Sequence, residues 1–158
     1  MKNISVLFCV LLTFFCRAQG YTQQKNEIQN LVKEVRQHII KKDTAAFKAL
    51  FTKDSFNWTA VIRDKTQQKR LKNKTSNPSN LFTKNFQDFH LFLMDKSNQD
   101  ELFKNVQIEN DDVIGSVTCD YTFLLDNKVT NYGKEFWQLA KVNGQWKIIS
   151  VIYSIELD

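Results

Sequence analysis

Among the side chains of this 158-residue chain, the carboxylate best placed for acid–base chemistry is Glu135. Residues 129–142 read as a strand that turns at Asn143-Gly144 and returns over 145–157. A two-residue loop fixes the register, so Val142 should oppose Gln145, Leu139 oppose Ile148, Trp137 oppose Ser150 and Glu135 oppose Ile152. If Leu139 and Ile148 face the core, strand alternation sends Glu135, Trp137, Ser150 and Ser154 the same way. Joined by Trp58 and Tyr121, they would make a mostly apolar pocket with a few polar anchors. Burial would raise a carboxyl's pKa toward neutrality, where it can take or give a proton. Glu135 and Tyr121 are therefore the catalytic candidates. The competing reading puts this face outside, or pairs Glu135 with a lysine on a neighbouring strand. Tyr121 is equally well explained as a core tyrosine.

Other chemistries find little support. His38, His90 and Cys119 lie far apart without ligand spacing, so no metal site is expected. His38 adjoins the apolar stripe of a helix and His90 sits beside Phe89. Cys119 alternates into an apolar strand face, as a buried structural thiol would. Asp120 alternates with Ser116 and Thr118, toward solvent. There is no Gly-x-Ser-x-Gly motif, no Cys/His pair and no glycine-rich phosphate loop, and no cofactor is expected. Lys65, Lys69, Arg70, Lys72 and Lys74 crowd together without interleaved aromatics. They read as a solvated segment, not a nucleic-acid surface.

Positioning such a site is the work of the flanking elements. Lys2, an apolar run from Ile4 to Phe15, and small residues at Cys16 and Ala18 have the pattern of a cleavable export signal covering residues 1–18. The run is too short to span a bilayer, so no stable membrane insertion is expected once it is removed. Cleavage would leave 19–158 as one domain, lower the formal charge from +5 to +3 and leave Cys119 as the single cysteine, so the domain must stand on packing alone. A periplasmic or secreted location follows.

Ile28, Leu31, Val32, Val35 and Ile39 recur at helical spacing within 24–42. Asp43 or Thr44 should cap a short second helix with Phe47, Leu50 and Phe51 inward. Ser55–Ile62 reads as a strand with Phe56, Trp58, Ala60 and Ile62 on one face. A polar helix and a mobile loop follow over 63–80. Ser79 is expected to cap a helix carrying Phe82, Phe86, Phe89 and Leu93 inward. Strands are expected at 102–109 and 113–125, the latter with Val117, Cys119, Tyr121, Phe123 and Leu125 on one face. The last strand is apolar on both faces, with Trp146, Ile148 and Ile152 against Ile149, Val151, Tyr153 and Ile155. One of those faces needs a cover, which a second subunit could supply.

This order of elements resembles the nuclear transport factor 2-like superfamily, which includes SnoaL-like and ketosteroid-isomerase-like proteins. The resemblance is carried by Lys42-Asp43-Thr44-Ala45-Ala46-Phe47, by Gly133-Lys134-Glu135-Phe136-Trp137-Gln138-Leu139, and by Asn143-Gly144-Gln145-Trp146-Lys147-Ile148-Ile149-Ser150-Val151. It implies an α+β cone, with N-terminal helices packed on a curved, mostly antiparallel sheet in the order α-α-β-α-β-β-β-β. It also implies an apolar pocket between helices and sheet, often in a dimer. These motifs are turn and core residues, so they speak for fold and leave function open. The paired Asp/His or Asp/Tyr set of the family's enzymes is not seen. The sequence therefore leads to a domain that binds a small apolar molecule or a protein partner without catalysis. The alternatives are a lyase or isomerase acting through the pocket, and a dimeric interaction module.

Overall fold

The computed structural model describes residues 2–52, 57–72 and 78–157, with side chains from residue 22 onward. Helix α1 (Lys2–Lys41) runs through the boundary expected after Ala18. Its inward stripe is the periodic one: Ile28, Leu31, Val32, Val35 and Ile39 are all buried. The chain leaves α1 through Lys42 at φ 55°, and Asp43 caps α2 (Thr44–Ala49) by accepting from the Ala46 amide at 2.9 Å. Such a cap contributes about 1 kcal/mol. It also seats Phe47, fully buried, under the sheet.

Six strands form one sheet in the order β2-β1-β6-β5-β4-β3. They are β1 (Trp58–Ile62), β2 (Leu81–Lys84), β3 (Gln99–Asn110), β4 (Ile114–Leu125), β5 (Lys128–Val142) and β6 (Gln145–Leu157). Pairing is antiparallel except between β1 and β6. Helices α3 (Asp64–Lys72) and α4 (Phe86–Leu93) complete the fold. Trp58, Ala60 and Ile62 alternate into the interior as the sequence implied, whereas Phe56 and the loop at 73–77 lie outside the described residues.

Three expectations are corrected. Ser79 caps no helix; its hydroxyl accepts from the Leu81 amide at 3.0 Å, and β2 follows. Phe82 and Phe86 are four residues apart and imitate one helical face, but Phe82 stands opposite Ala60 in the β1–β2 ladder. Helix α4 starts later, behind Asn85, whose side chain accepts from the Asp88 amide at 2.9 Å while Asp88 accepts from the Asn85 amide at 3.0 Å. Strand β3 also begins three residues earlier than expected, at Gln99.

The third correction decides the interior. The hairpin is as expected, with Asn143 and Gly144 at φ 50° and 79° and Val142 opposite Gln145. Leu139 opposes Ile148, but Gln138 opposes Ser150, so Ile149 is the extra residue of a bulge. Beyond it Trp137 opposes Val151, not Ser150, and Glu135 opposes Tyr153, not Ile152. Every later β6 side chain changes face. Trp146, Ile148, Val151, Tyr153 and Ile155 therefore share the inner side, and Ile152 is left outside opposite Phe136, both about half exposed. The doubly apolar strand is explained by the bulge and calls for no second cover on that account.

Strands β5 and β6 approach closely at Gly133, where a Cβ would lie 1.9 Å from the Ser154 carbonyl oxygen. Gly133→Ala must push β5 off β6. We expect it to lower the unfolding free energy by about 2 kcal/mol in a urea titration. An unchanged midpoint would show that the ladder yields there at no cost.

Candidate functional site

Four neighbouring strands each send a polar residue to the same inner region. Glu101 comes from β3, Tyr121 from β4, Glu135 from β5 and Tyr153 from β6. Register brings them together: Phe103 pairs with Tyr121, Cys119 with Glu135, and Glu135 with Tyr153. Trp58 from β1 and Phe89 and Phe92 from α4 close the other side. The space between them is a cavity of about 140 Å³, about the room one benzene-sized molecule takes. Its walls are stiff because the rings pack on one another. Trp58 and Phe89 stack with centroids 5.0 Å apart, Phe89 stacks on Phe47 at 4.3 Å, and Tyr121 meets Tyr153 edge-on at 5.9 Å.

Two carboxyls in this setting cannot behave as surface acids. Glu135 is 1% exposed, and the Trp137 indole donates to its Oε2 at 2.7 Å. Burial pushes its pKa up to about 7, against the pull of that hydrogen bond. Glu101 is 5% exposed and is held well above the ordinary carboxylate range, first by burial and then by the negative charge of Glu135, with Asp100 adding a little. Asp100 itself is neutralised by a two-point bond from Arg36 at 2.8 and 2.9 Å. The pair thus keeps at least one proton near neutral pH, because ionising both would set two like charges in a poorly solvated space. Tyr121 donates to Asn131 Oδ1 at 3.0 Å. Burial raises the pKa of Tyr121 and of Tyr153, so both remain phenols.

Of the residues singled out in the sequence, Trp58, Tyr121 and Glu135 stand on the cavity wall. Trp137 lies behind Glu135, buried, with its ring against Phe103, and acts on the site through its indole donor. Ser150 and Ser154 do not join them, because the bulge turns both to the outer face. There Ser150 donates to Gln138 Oε1 at 2.7 Å and Ser154 accepts from the Lys134 amide at 3.0 Å. No lysine of a neighbouring strand pairs with Glu135 among the described residues, and Lys134, next to it in β5, meets Asp120 at 2.8 Å on the solvent side. Cys119 is buried and its thiol pKa is raised by that burial. Among the described residues no group of three or more His, Cys, Asp or Glu side chains is arranged to hold a metal ion.

Glu101 was not found by sequence reasoning. With the strand expected to begin at 102, it fell just outside it. The alternation Gln99, Glu101, Phe103 was available as a signal, but a glutamate at its centre reads as surface.

No protein-family model matches the sequence, and no curated protein does. Solved structures do match. An NTF2-like protein with a cystatin-like fold from Novosphingobium aromaticivorans superposes with a TM-score of 0.66 at 8% identity, covering 91% of this chain and 89% of that one. A candidate scytalone dehydratase from the same organism gives 0.64 at 14% identity, covering 89% of both chains. An NTF2-like protein of unknown function from Shewanella baltica gives 0.60 at 15% identity, covering 87% of this chain and 98% of that one. Helices laid on a curved six-stranded sheet, with a cavity between the layers, define an α+β cone. The chain has the nuclear transport factor 2-like fold, as the order of elements implied.

Raised carboxyl pKa values link stability to pH. A folded pKa above the unfolded one means that the native state holds the proton more tightly, so the stabilisation is complete below the unfolded value of about 4.5 and is lost as pH rises through about 7. We expect the wild-type unfolding free energy to fall over that window by up to roughly 3 kcal/mol from Glu135 alone. Glu135→Gln should flatten that part of the profile. An equally steep decline in the variant would assign the effect to other groups.

Proposed function

We propose that this chain is a small-molecule-binding domain whose ligand occupies the aromatic cavity, with Glu101 and Glu135 as its polar anchors. One observation carries this reading: two carboxyls stand almost fully buried on a mainly aromatic wall beside unfilled space. Buried polar groups cost stability unless bonded. A protein that keeps two of them at a cavity retains them for something other than packing. The volume limits the ligand to roughly six to eight non-hydrogen atoms. Phenol is a suitable first probe, since its ring matches the walls and its hydroxyl can donate to a carboxylate. We expect phenol to raise the thermal midpoint saturably, and Ile155→Phe, which fills space at the cavity wall, to abolish the rise. No rise, or one that Ile155→Phe leaves intact, would sink the proposal.

A second reading is favoured by the same pair. A carboxylate that titrates near neutrality beside a second, protonated carboxyl is the arrangement of a general base with its acid, suited to a lyase or isomerase. In this reading Glu135 removes a proton next to a carbonyl while Glu101 or Tyr121 donates to the oxygen. Deuterium exchange at the α-carbon of cyclohexanone, followed by NMR, examines this directly. If the chain is such an enzyme, Glu135→Gln should slow protein-dependent exchange by about a hundredfold. Equal rates for the two proteins would exclude Glu135 as base.

We further propose that the domain works outside the cytoplasm, supported by Lys2, the apolar run Ile4–Phe15 and the small residues at Cys16 and Ala18. The intact mass of the exported protein should correspond to a chain that starts at Gln19. Recovery of the uncut chain in the cytoplasm alone would reject this.

A further inference from the structure

We infer that the cavity selects a small organic cation, held by the faces of its aromatic walls with the Glu101–Glu135 pair as counter-ion. This rests on the reading of the cavity as a binding site and adds the charge of its occupant. Glu101 is 5% exposed and lines the cavity, yet none of the described residues hydrogen-bonds or ion-pairs with its carboxyl. Glu135 has a neutral donor, the Trp137 indole, and no cation partner among the described residues. Buried carboxyls without a counter-charge are expensive, and a positive ligand removes that expense where a neutral one does not.

The walls fit the same charge. Trp58, Phe89, Phe92, Tyr121 and Tyr153 surround the space, and the negative face of an aromatic ring attracts a cation within about 6 Å of its centroid. The molecule already shows one such contact at the cavity: the Lys84 ammonium sits 5.3 Å from the centre of the Phe92 ring. Lys84 forms no salt bridge with either glutamate among the described residues, so their charge is left for a ligand. A bare metal ion is a poor alternative. Two carboxyls in an aromatic box offer too few oxygen ligands for a hard cation, and no third acidic, histidine or cysteine ligand stands with them among the described residues. A quaternary or tertiary ammonium of about seven non-hydrogen atoms suits both the volume and the walls.

Choline and 3,3-dimethyl-1-butanol have the same shape and differ in charge, so calorimetric titration of the full-length protein with each isolates the charge. We expect choline to bind at least about tenfold more tightly. In the Glu101→Gln/Glu135→Gln protein the choline advantage should shrink at least about fivefold, the remainder being the attraction of the ring faces. Equal binding of both probes to the wild type would overturn the cation preference and leave the cavity reading standing. Failure of both, together with failure of phenol, would overturn the two together, whereas phenol binding without choline binding removes the cation preference alone. A choline advantage that the double substitution leaves undiminished would place the cation away from the glutamates and reject the inference. If the double variant does not fold, Glu101→Gln alone serves, because no described residue bonds to that carboxyl, and it too should reduce the choline advantage.

Discussion

Ile149 has no partner across the β5–β6 ladder, and the interior of the cone follows from that single extra residue. A bulge shifts the strand by one position, and in a structure with period two a shift of one exchanges inside for outside. On the hairpin side, Trp146 and Ile148 pack inward. Beyond the bulge Val151, Tyr153 and Ile155 take over, although simple alternation would have sent them out. Tyr153 thereby comes to face Glu135 and to meet Tyr121 edge-on, and two serines are carried away from the cavity to the solvent side. Parallel pairing of β1 with this same stretch then brings Trp58 beside Tyr153. The aromatic wall is thus a consequence of register as much as of composition.

Within that wall the two glutamates set a conflict. Apolar packing excludes water from Glu101 and Glu135, and exclusion of water makes their charged forms costly. The molecule relieves part of the strain through Trp137, whose indole donor is itself locked by packing against Phe103. The rest is relieved by retaining protons. Asp100 and Asp120 show the contrast. Asp100 lies on β3 beside Glu101 and Asp120 on the intervening β4, but each is near a cation, Arg36 or Lys134, and both are held below the usual carboxylate range. Position in the sheet, rather than residue type, separates the carboxyls that bind a neighbour from those that face the cavity.

Much of the fold was legible because its signals are local. The stripe on α1 repeats every three or four residues, Asp43 caps the next turn, and Asn143-Gly144 dictates a hairpin; each needs only a few neighbours to be read. Where reading failed, the missing information was non-local. Strand β2 exists because β1 is beside it, and its Phe82 could not be told from the first turn of a helix by spacing alone. Part of the cavity wall was visible in the same way: alternation sent Trp58, Tyr121 and Glu135 inward, while Ser150 and Ser154 were misplaced because alternation cannot anticipate a bulge. Glu101 was missed because a glutamate carries no mark of burial.

The sequence by itself determined the elements up to α3 and the four long strands, the apolar faces of α1, α2 and β4, and the register next to the hairpin. These follow from periodicity, caps and turn chemistry, which act over a handful of residues. Tertiary structure alone decided that Glu101 and Glu135 share one cavity, that Tyr153 joins them and that the serines do not. Residues 101 and 135 lie on β3 and β5 with β4 between them. Their separation depends on two ladders and their registers, and on the helices that close the space above. No local pattern encodes a distance fixed by so many pairings at once.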